Sequence, residues 1–241
     1  MKSIVCVSVL AALSASAVHA EEAASPLTAN VALTTKYKYR GQDQGSVQAF
    51  APAIQGGFDF SKNGFYLGNW NSSIGFGGGT EVDLYGGYKG AITKDLGYDV
   101  GMLQYWYRDT AFNTLEVYAA LNYAFVSLKY SATVSRDYFG LGHLSGLAAE
   151  PKGRGTGYLD LSANYEVVKG LTLNGHAGYT RLSSELRDNT TNENYVDYKL
   201  GATYDLGSGF SAAAAYVGAN KRSVYGNVNK GRAILTISKT L

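Results

Sequence analysis

The 241-residue chain sets 21 Lys and Arg against 19 Asp and Glu, a formal charge of +2, and this balance excludes a polybasic face for nucleic acid. Thirty glycines and 20 tyrosines beside only 3 prolines favour strands and tight turns over helices. A single cysteine, Cys6, excludes an intrachain disulfide, and past the first 20 residues no stretch approaches the ~18 apolar residues of a membrane helix.

Residues 1–20 read as a secretory signal, with Lys2 as the charged start, an apolar run from Ile4 to Ala17, and Val18-His19-Ala20 as a small-x-small cleavage site. Cys6 leaves with it. Residues 21–27 form a short lead, and 28–241 are expected to be one β-barrel domain, since about 220 residues suit a single strand-rich unit. Along this part the apolar residues recur every second position, a period that only an extended strand converts into two different faces.

The first strand is expected over 30–40, with Val31, Leu33, Tyr37 and Tyr39 on one face and Lys36, Lys38 and Arg40 on the other. A second over 51–60 sets Ile54, Phe58 and Phe60 against Gln55 and Asp59, and ends at the turn Ser61-Lys62-Asn63-Gly64. A third over 66–76 sets Tyr66, Trp70, Ile74 and Phe76 against Asn69, Asn71 and Ser73. In the next pair Val82, Leu84 and Tyr88 oppose Glu81, Asp83 and Lys89, and Tyr98, Val100 and Met102 oppose Asp99. Leu115, Val117, Leu121 and Tyr123 oppose Glu116. At Phe125-Val126 the parity flips with no polar gap, which requires a very tight hairpin into Leu128, Tyr130 and Val134 against Lys129.

A long loop over 136–156 follows. Leu159, Leu161 and Tyr165 then oppose Asp160, His176 takes the inward parity of the strand after it, and a polar connection spans 182–194. Val196, Tyr198 and Leu200 oppose Asp197 and Lys199, Phe210 and Tyr216 mark the eleventh strand, and Ala233, Leu235, Ile237 and Leu241 the last, beside Arg232. Twelve strands result, with short turns after the even ones and long loops after most of the odd ones. Two loop classes on alternate connections are the signature of a closed up-and-down barrel with two different rims. The fold expected is an all-β transmembrane antiparallel barrel with both termini periplasmic.

Alternation alone does not say whether the apolar face meets lipid or a protein core. Aromatic residues gather near strand ends on that face, at Tyr37, Tyr39, Phe58, Phe60, Tyr66, Phe76, Tyr123, Phe125, Tyr204 and Phe210, as in the girdles of membrane barrels. With the signal and the two-rim loops, they favour lipid. The segments EVDLYGGYKG and DLGYDVG, with QGGFDFSKNGFYLGNW, SRDYFG, GTGYLDLSANY and the ending ISKTL, resemble the TorF-like porin family of proteobacteria. The resemblance covers nearly the whole mature chain and implies an outer-membrane barrel that conducts solutes. Leu241 stands where such barrels usually end in an aromatic, with Lys239 at a position that is commonly apolar.

No chemistry-bearing motif emerges. Neither His143, near Ser145 in a loop, nor His176 shows a serine partner on the lipid face, and Gly77 to Gly79 precede no helix that would cradle phosphate. The chain is therefore read as a non-enzyme with no cofactor and no catalytic or metal site. Its expected function is passive diffusion of ions and small polar solutes across the outer membrane of a Gram-negative bacterium. Outer-membrane lipid and the barrel-assembly machinery are the expected partners. The alternative is a non-conducting barrel with a structural or adhesion role through its loops.

Fifteen side chains are assigned to the pore wall. Lys36, Lys38, Arg40 and Arg232 form a basic side near the outer rim, and Glu81, Asp83 and Glu116 an acidic side. Asp59, Lys89, Asp99, Lys129, Asp160, His176, Asp197 and Lys199 complete it. Twelve strands ~4.7 Å apart enclose a backbone cylinder of radius ~12 Å. The two sides then either hold a transverse field in a hydrated lumen or meet as salt bridges that close it.

Overall fold

The computed structural model describes residues 25–241; the expected signal and residues 21–24 lie outside the described residues. Twelve antiparallel strands close into one barrel, and two short strands form a hairpin inside it. In chain order they are β1 Leu27–Thr34, the inner pair β2 Lys38–Tyr39 and β3 Gln42–Asp43, then β4 Ala53–Lys62, β5 Phe65–Ser73, β6 Thr80–Ala91, β7 Leu96–Tyr107, β8 Thr114–Tyr123, β9 Val126–Thr133, β10 Gly157–Val168, β11 Leu171–Arg181, β12 Tyr195–Gly207, β13 Phe210–Ala219 and β14 Arg232–Thr240. β1 closes the ring by pairing with β4 on one side (Val31 opposite Gly56) and β14 on the other (Val31 opposite Lys239).

The period-two pattern sorts the side chains as the sequence implies. On β6, Leu84 is 52% exposed on the outside while its neighbour Asp83 is 1% exposed on the inside. The same alternation puts Val100 and Met102, Leu121 and Tyr123, Leu159 and Leu161, Leu200, Leu235 and Ile237 on the outer surface. Closure leaves no unpaired sheet edge, so backbone polar groups are satisfied within the ring, the condition for crossing a hydrocarbon layer with strands.

All five short turns, at 63–64, 92–95, 124–125, 169–170 and 208–209, lie at one rim. Both ends of the barrel meet there, where the Leu241 N–H donates to the Ala29 carbonyl at 2.8 Å. The hairpin at the parity flip is as tight as expected, since Ala124 takes φ 50° to complete it. Long connections occupy the opposite rim. The one over 182–194 carries helix α1, Ser184–Asn189, and the one over 220–231 carries α2, Arg222–Tyr225.

Two expectations fail. β1 ends at Thr34 rather than running to residue 40, and Tyr37 and Tyr39 belong to a segment over 35–52 that folds into the barrel. On β5 the two faces are exchanged: Phe65 and Leu67 face outward, while Trp70, 5% exposed, and Tyr66 face inward. The second error has a simple cause. Tyrosine and tryptophan carry a polar atom on a large apolar ring, so their parity does not identify the lipid side when the interior is itself packed. Phe76 likewise packs inside, against the buried cluster Leu103, Tyr105 and Tyr107. Tyr123, Phe125, Tyr204 and Phe210 do lie exposed on the outer surface near the short-turn rim, with Phe58 and Phe60.

Candidate functional site

The interior has two unlike halves, and the segment over 35–52 makes the difference. Its tip, Arg40-Gly41, takes φ 46° and 73°, the pair of left-handed residues that a two-residue hairpin turn needs. Glycine is required there for a second reason: a Cβ on Gly41 would stand 2.6 Å from Asp197 Cβ and 2.6 Å from the Gly218 carbonyl oxygen. The tip therefore presses against the wall formed by β12 and β13.

Ion pairs and hydrogen bonds fix the segment in place. Arg40 reaches Glu116 of β8 with two parallel bonds, Nη1 to Oε1 at 2.9 Å and Nη2 to Oε2 at 2.6 Å, and donates to the Tyr138 hydroxyl at 3.1 Å. Its guanidinium carbon lies 4.0 Å from the centre of the Tyr158 ring. Lys36 and Lys38 both pair with Asp43, at 3.2 and 2.8 Å. Lys38 also donates to the Val228 carbonyl, Gln42 to Asn229 and Arg232 to the Val47 carbonyl. Around these bonds lies an aromatic cluster in which Tyr39, Tyr105 and Phe139 stand with ring centres 4.8 to 5.6 Å apart.

This arrangement corrects the expected basic side of the pore. Lys36, Lys38 and Arg40 do not sit on the barrel wall; they lie on the inserted segment. Opposite charges meet across the lumen at Arg40 and Glu116, so no open transverse field survives on that line. Nor is the loop half a hydrated wall, because Glu81, Asp83 and Glu116 are each 1 to 2% exposed. Glu81 accepts from the Tyr37 hydroxyl at 2.7 Å and the Tyr107 hydroxyl at 2.5 Å.

At mid-depth Asp160, His176 and Asp197 converge. His176 Nδ1 lies 3.0 Å from Asp160 and Nε2 2.7 Å from Asp197. Ser162 stands 3.3 Å from Nδ1 but donates its proton to Asp160. Serine, histidine and aspartate are thus present together without the geometry of a nucleophile. Both imidazole nitrogens face carboxylates, so neither offers a lone pair to the serine hydroxyl. His143 likewise bonds Glu150 at 2.9 Å, while Ser145 donates to the Gly142 carbonyl.

The half nearer the short turns is looser. Tyr66 bonds both Asp99 and Tyr118, Tyr85 bonds Asp59, and Lys89 and Lys129 lie over the rings of Tyr66 and Tyr118. Across from them β12 to β14 present Gly201, Ala213, Ala215, Thr236 and Ser238, small and half-exposed. Lys199 joins this wall without a hydrogen bond or ion pair among the described residues. The charged side chains Glu81, Asp83, Asp99, Glu116, Asp160 and Asp197 are buried on the inner face of their strands, and the sequence reading missed the inserted segment. The local letters carry no signal for it, because Lys36, Lys38 and Arg40 alternate as the residues of an uninterrupted strand do.

A family model described as "Bacterial protein of unknown function (Gcw_chp)" matches residues 20–240. The chain belongs to this family. Its barrel is similar to those of solved structures called KdgM porin and NanC porin. The KdgM structure is 10% identical with a TM-score of 0.60, covering 88% of this chain and 98% of that one. The NanC structure is 11% identical with a TM-score of 0.56, covering 89% and 98%. At such identity the likeness establishes a porin-like twelve-strand fold. No curated protein matches the Gcw_chp chain.

Proposed function

We propose that this Gcw_chp protein is an outer-membrane channel for passive diffusion of ions and small polar solutes, as the resemblance to the TorF-like porins implies. The observation that carries this reading is the two-faced closed barrel, an outer surface of Leu, Val, Ile and aromatic side chains around an interior of charges and hydroxyls. Lipid outside and solute inside is the arrangement that minimises buried polar cost. The short turns and both termini then face the periplasm, the long loops face the exterior, and the barrel-assembly machinery inserts the secreted chain. The protein works as a channel, without catalysis or a cofactor.

The conduit proposed runs from the short-turn rim along the small residues of β12 to β14, past Lys199, and narrows where Arg40 meets Glu116. Asp59, Lys89, Asp99, Lys129, Asp160, His176 and Asp197 line it, with Arg232 toward the loops, while Glu81 and Asp83 are walled off behind the inserted segment. One neighbouring KdgM structure is described in complex with oligogalacturonate, a polyanion. Here Lys36, Lys38, Arg40 and His176 are each bound to carboxylates, and the other cations, Lys89, Lys129, Lys199 and Arg232, are set among Asp59, Asp99 and Asp160. That leaves no continuous basic track, and small neutral or zwitterionic solutes suit the lumen better. Liposomes holding the folded protein should swell in small polar solutes at rates that fall steeply with solute size. Swelling no faster than in protein-free vesicles would overturn the reading.

The packed loop half favours a second reading, a non-conducting barrel that acts through its loops over 136–156 and 182–194. Excising residues 140–152 separates the two. Gly153 lies against Tyr138, so the cut ends are already adjacent and folding should survive. A channel keeps or increases its conductance after this excision, whereas a loop-dependent adhesion or structural protein loses its activity.

A further inference from the structure

We infer that Asp83 and Glu81 form a binding site for one small monovalent cation, behind the inserted segment on the loop side of the lumen. Asp83 is 1% exposed, and neither of its carboxylate oxygens has a hydrogen-bond or ion-pair partner among the described residues. The cations nearby are committed elsewhere: Lys36 and Lys38 to Asp43, Arg40 to Glu116, His176 to Asp160 and Asp197. Glu81, two residues away on the same inward face, has one phenol on each oxygen, from Tyr37 and Tyr107. Those phenols hold Glu81 and leave Asp83 bare.

A buried, unpartnered carboxylate beside a second one is strongly unfavourable unless something compensates it. Protonating Asp83 is the competing way to remove its charge, and its effect on stability would not depend on which cation the salt supplies. Water would give hydrogen bonds and no charge. A cation supplies the charge and coordinates the oxygens directly, and only two carboxylates are present, with no group of three or more acidic, histidine or cysteine ligands among the described residues. That ligand count fits a singly charged ion better than calcium, which takes six to eight oxygens. Access is from the loop rim, where a cavity of about 270 Å³ is lined by Tyr37, Gln44, Ser73 and Ile74. Tyr37 lines this cavity and its hydroxyl donates to Glu81, which links the cavity to the two carboxylates.

The site itself does not require conduction; its consequence, a preference for cations over anions, rests on the channel reading. Two measurements keep the claims apart. The folded full-length mature protein in detergent is heated in sodium, potassium or N-methylglucamine chloride at matched ionic strength, with the midpoint read from heat-modifiable gel migration. Sodium or potassium should raise the midpoint by about 2 to 4 °C over the bulky organic cation. Asp83→Asn should abolish the difference. Equal midpoints in all three salts for the natural sequence would overturn the site, whether or not the variant folds, as would a difference that persists in Asp83→Asn. In bilayers, Asp83→Asn should lower the cation-to-anion permeability ratio. Membranes silent for both proteins would strike the channel reading and leave the ion site to the melting data.

Discussion

Asp83 and Leu84 are neighbours in the chain and face opposite surroundings, one walled in by Trp70 and Tyr105 on the adjoining strands, the other exposed on the outer surface. The lipid assignment stands on such pairs. Arginine at a mid-membrane lipid-facing position costs about 2 to 4 kcal/mol. Leu84→Arg should therefore reduce the heat-modifiable folded fraction sharply. Ala213→Arg, on the inner wall between Thr203 and Thr236, should be tolerated. Equal loss in both variants would contradict the lipid assignment. In the 136–156 loop, Glu150 accepts the His143 hydrogen bond and attracts its charge, raising the histidine above its usual 6.5, while His143 and then Arg136 hold Glu150 below its usual 4.5. A raised histidine adds order that is complete below pH 6.5 and lost as pH climbs through its folded value. A lowered carboxylate adds order present above pH 4.5 and lost as pH falls through its folded value. The loop should thus resist limited proteolysis best between about pH 4.5 and 6.5 and loosen on the alkaline side, and His143→Gln should remove the alkaline change.

The inserted segment over 35–52 is the element on which the width of the lumen depends, and its anchor is Arg40 with Glu116. Removing one partner of a buried pair leaves the other charge stranded, at a cost of about 3 to 5 kcal/mol, whereas removing both relieves that cost. Arg40→Ala or Glu116→Ala alone should release the segment, seen as protease cleavage within 41–52 and as larger conductance. The double variant should be more stable than the sum of the two single losses predicts. Additive losses would mean that the pair does not hold the segment. This element is also where the sequence was hardest to read. Lys36, Lys38 and Arg40 alternate just as strand residues would, and the partners that bring them off the wall, Asp43, Glu116 and Val228, lie 5 to 190 positions away. On β5 the local pattern was complete but degenerate, since Phe65, Tyr66, Leu67 and Trp70 put bulk on both faces.

Across the whole molecule the legible features were those set by local rules. Period-two alternation fixed the inward parity of Glu81, Asp99, Glu116, Lys129, Asp160 and Asp197. Turn signals at Asn63-Gly64 and Ser208-Gly209, both with φ above 50° at each residue, fixed the strand count and the two rims. What the interior does with its charges depends on contacts between distant elements and could not be read from spacing. The central question is whether a barrel so filled still conducts. Planar-bilayer recording of the purified mature protein answers it most directly. A channel narrowed by the inserted segment should give small discrete steps, with larger ones in Arg40→Ala. Silent membranes containing demonstrably folded protein, for both the natural sequence and Arg40→Ala, would contradict it.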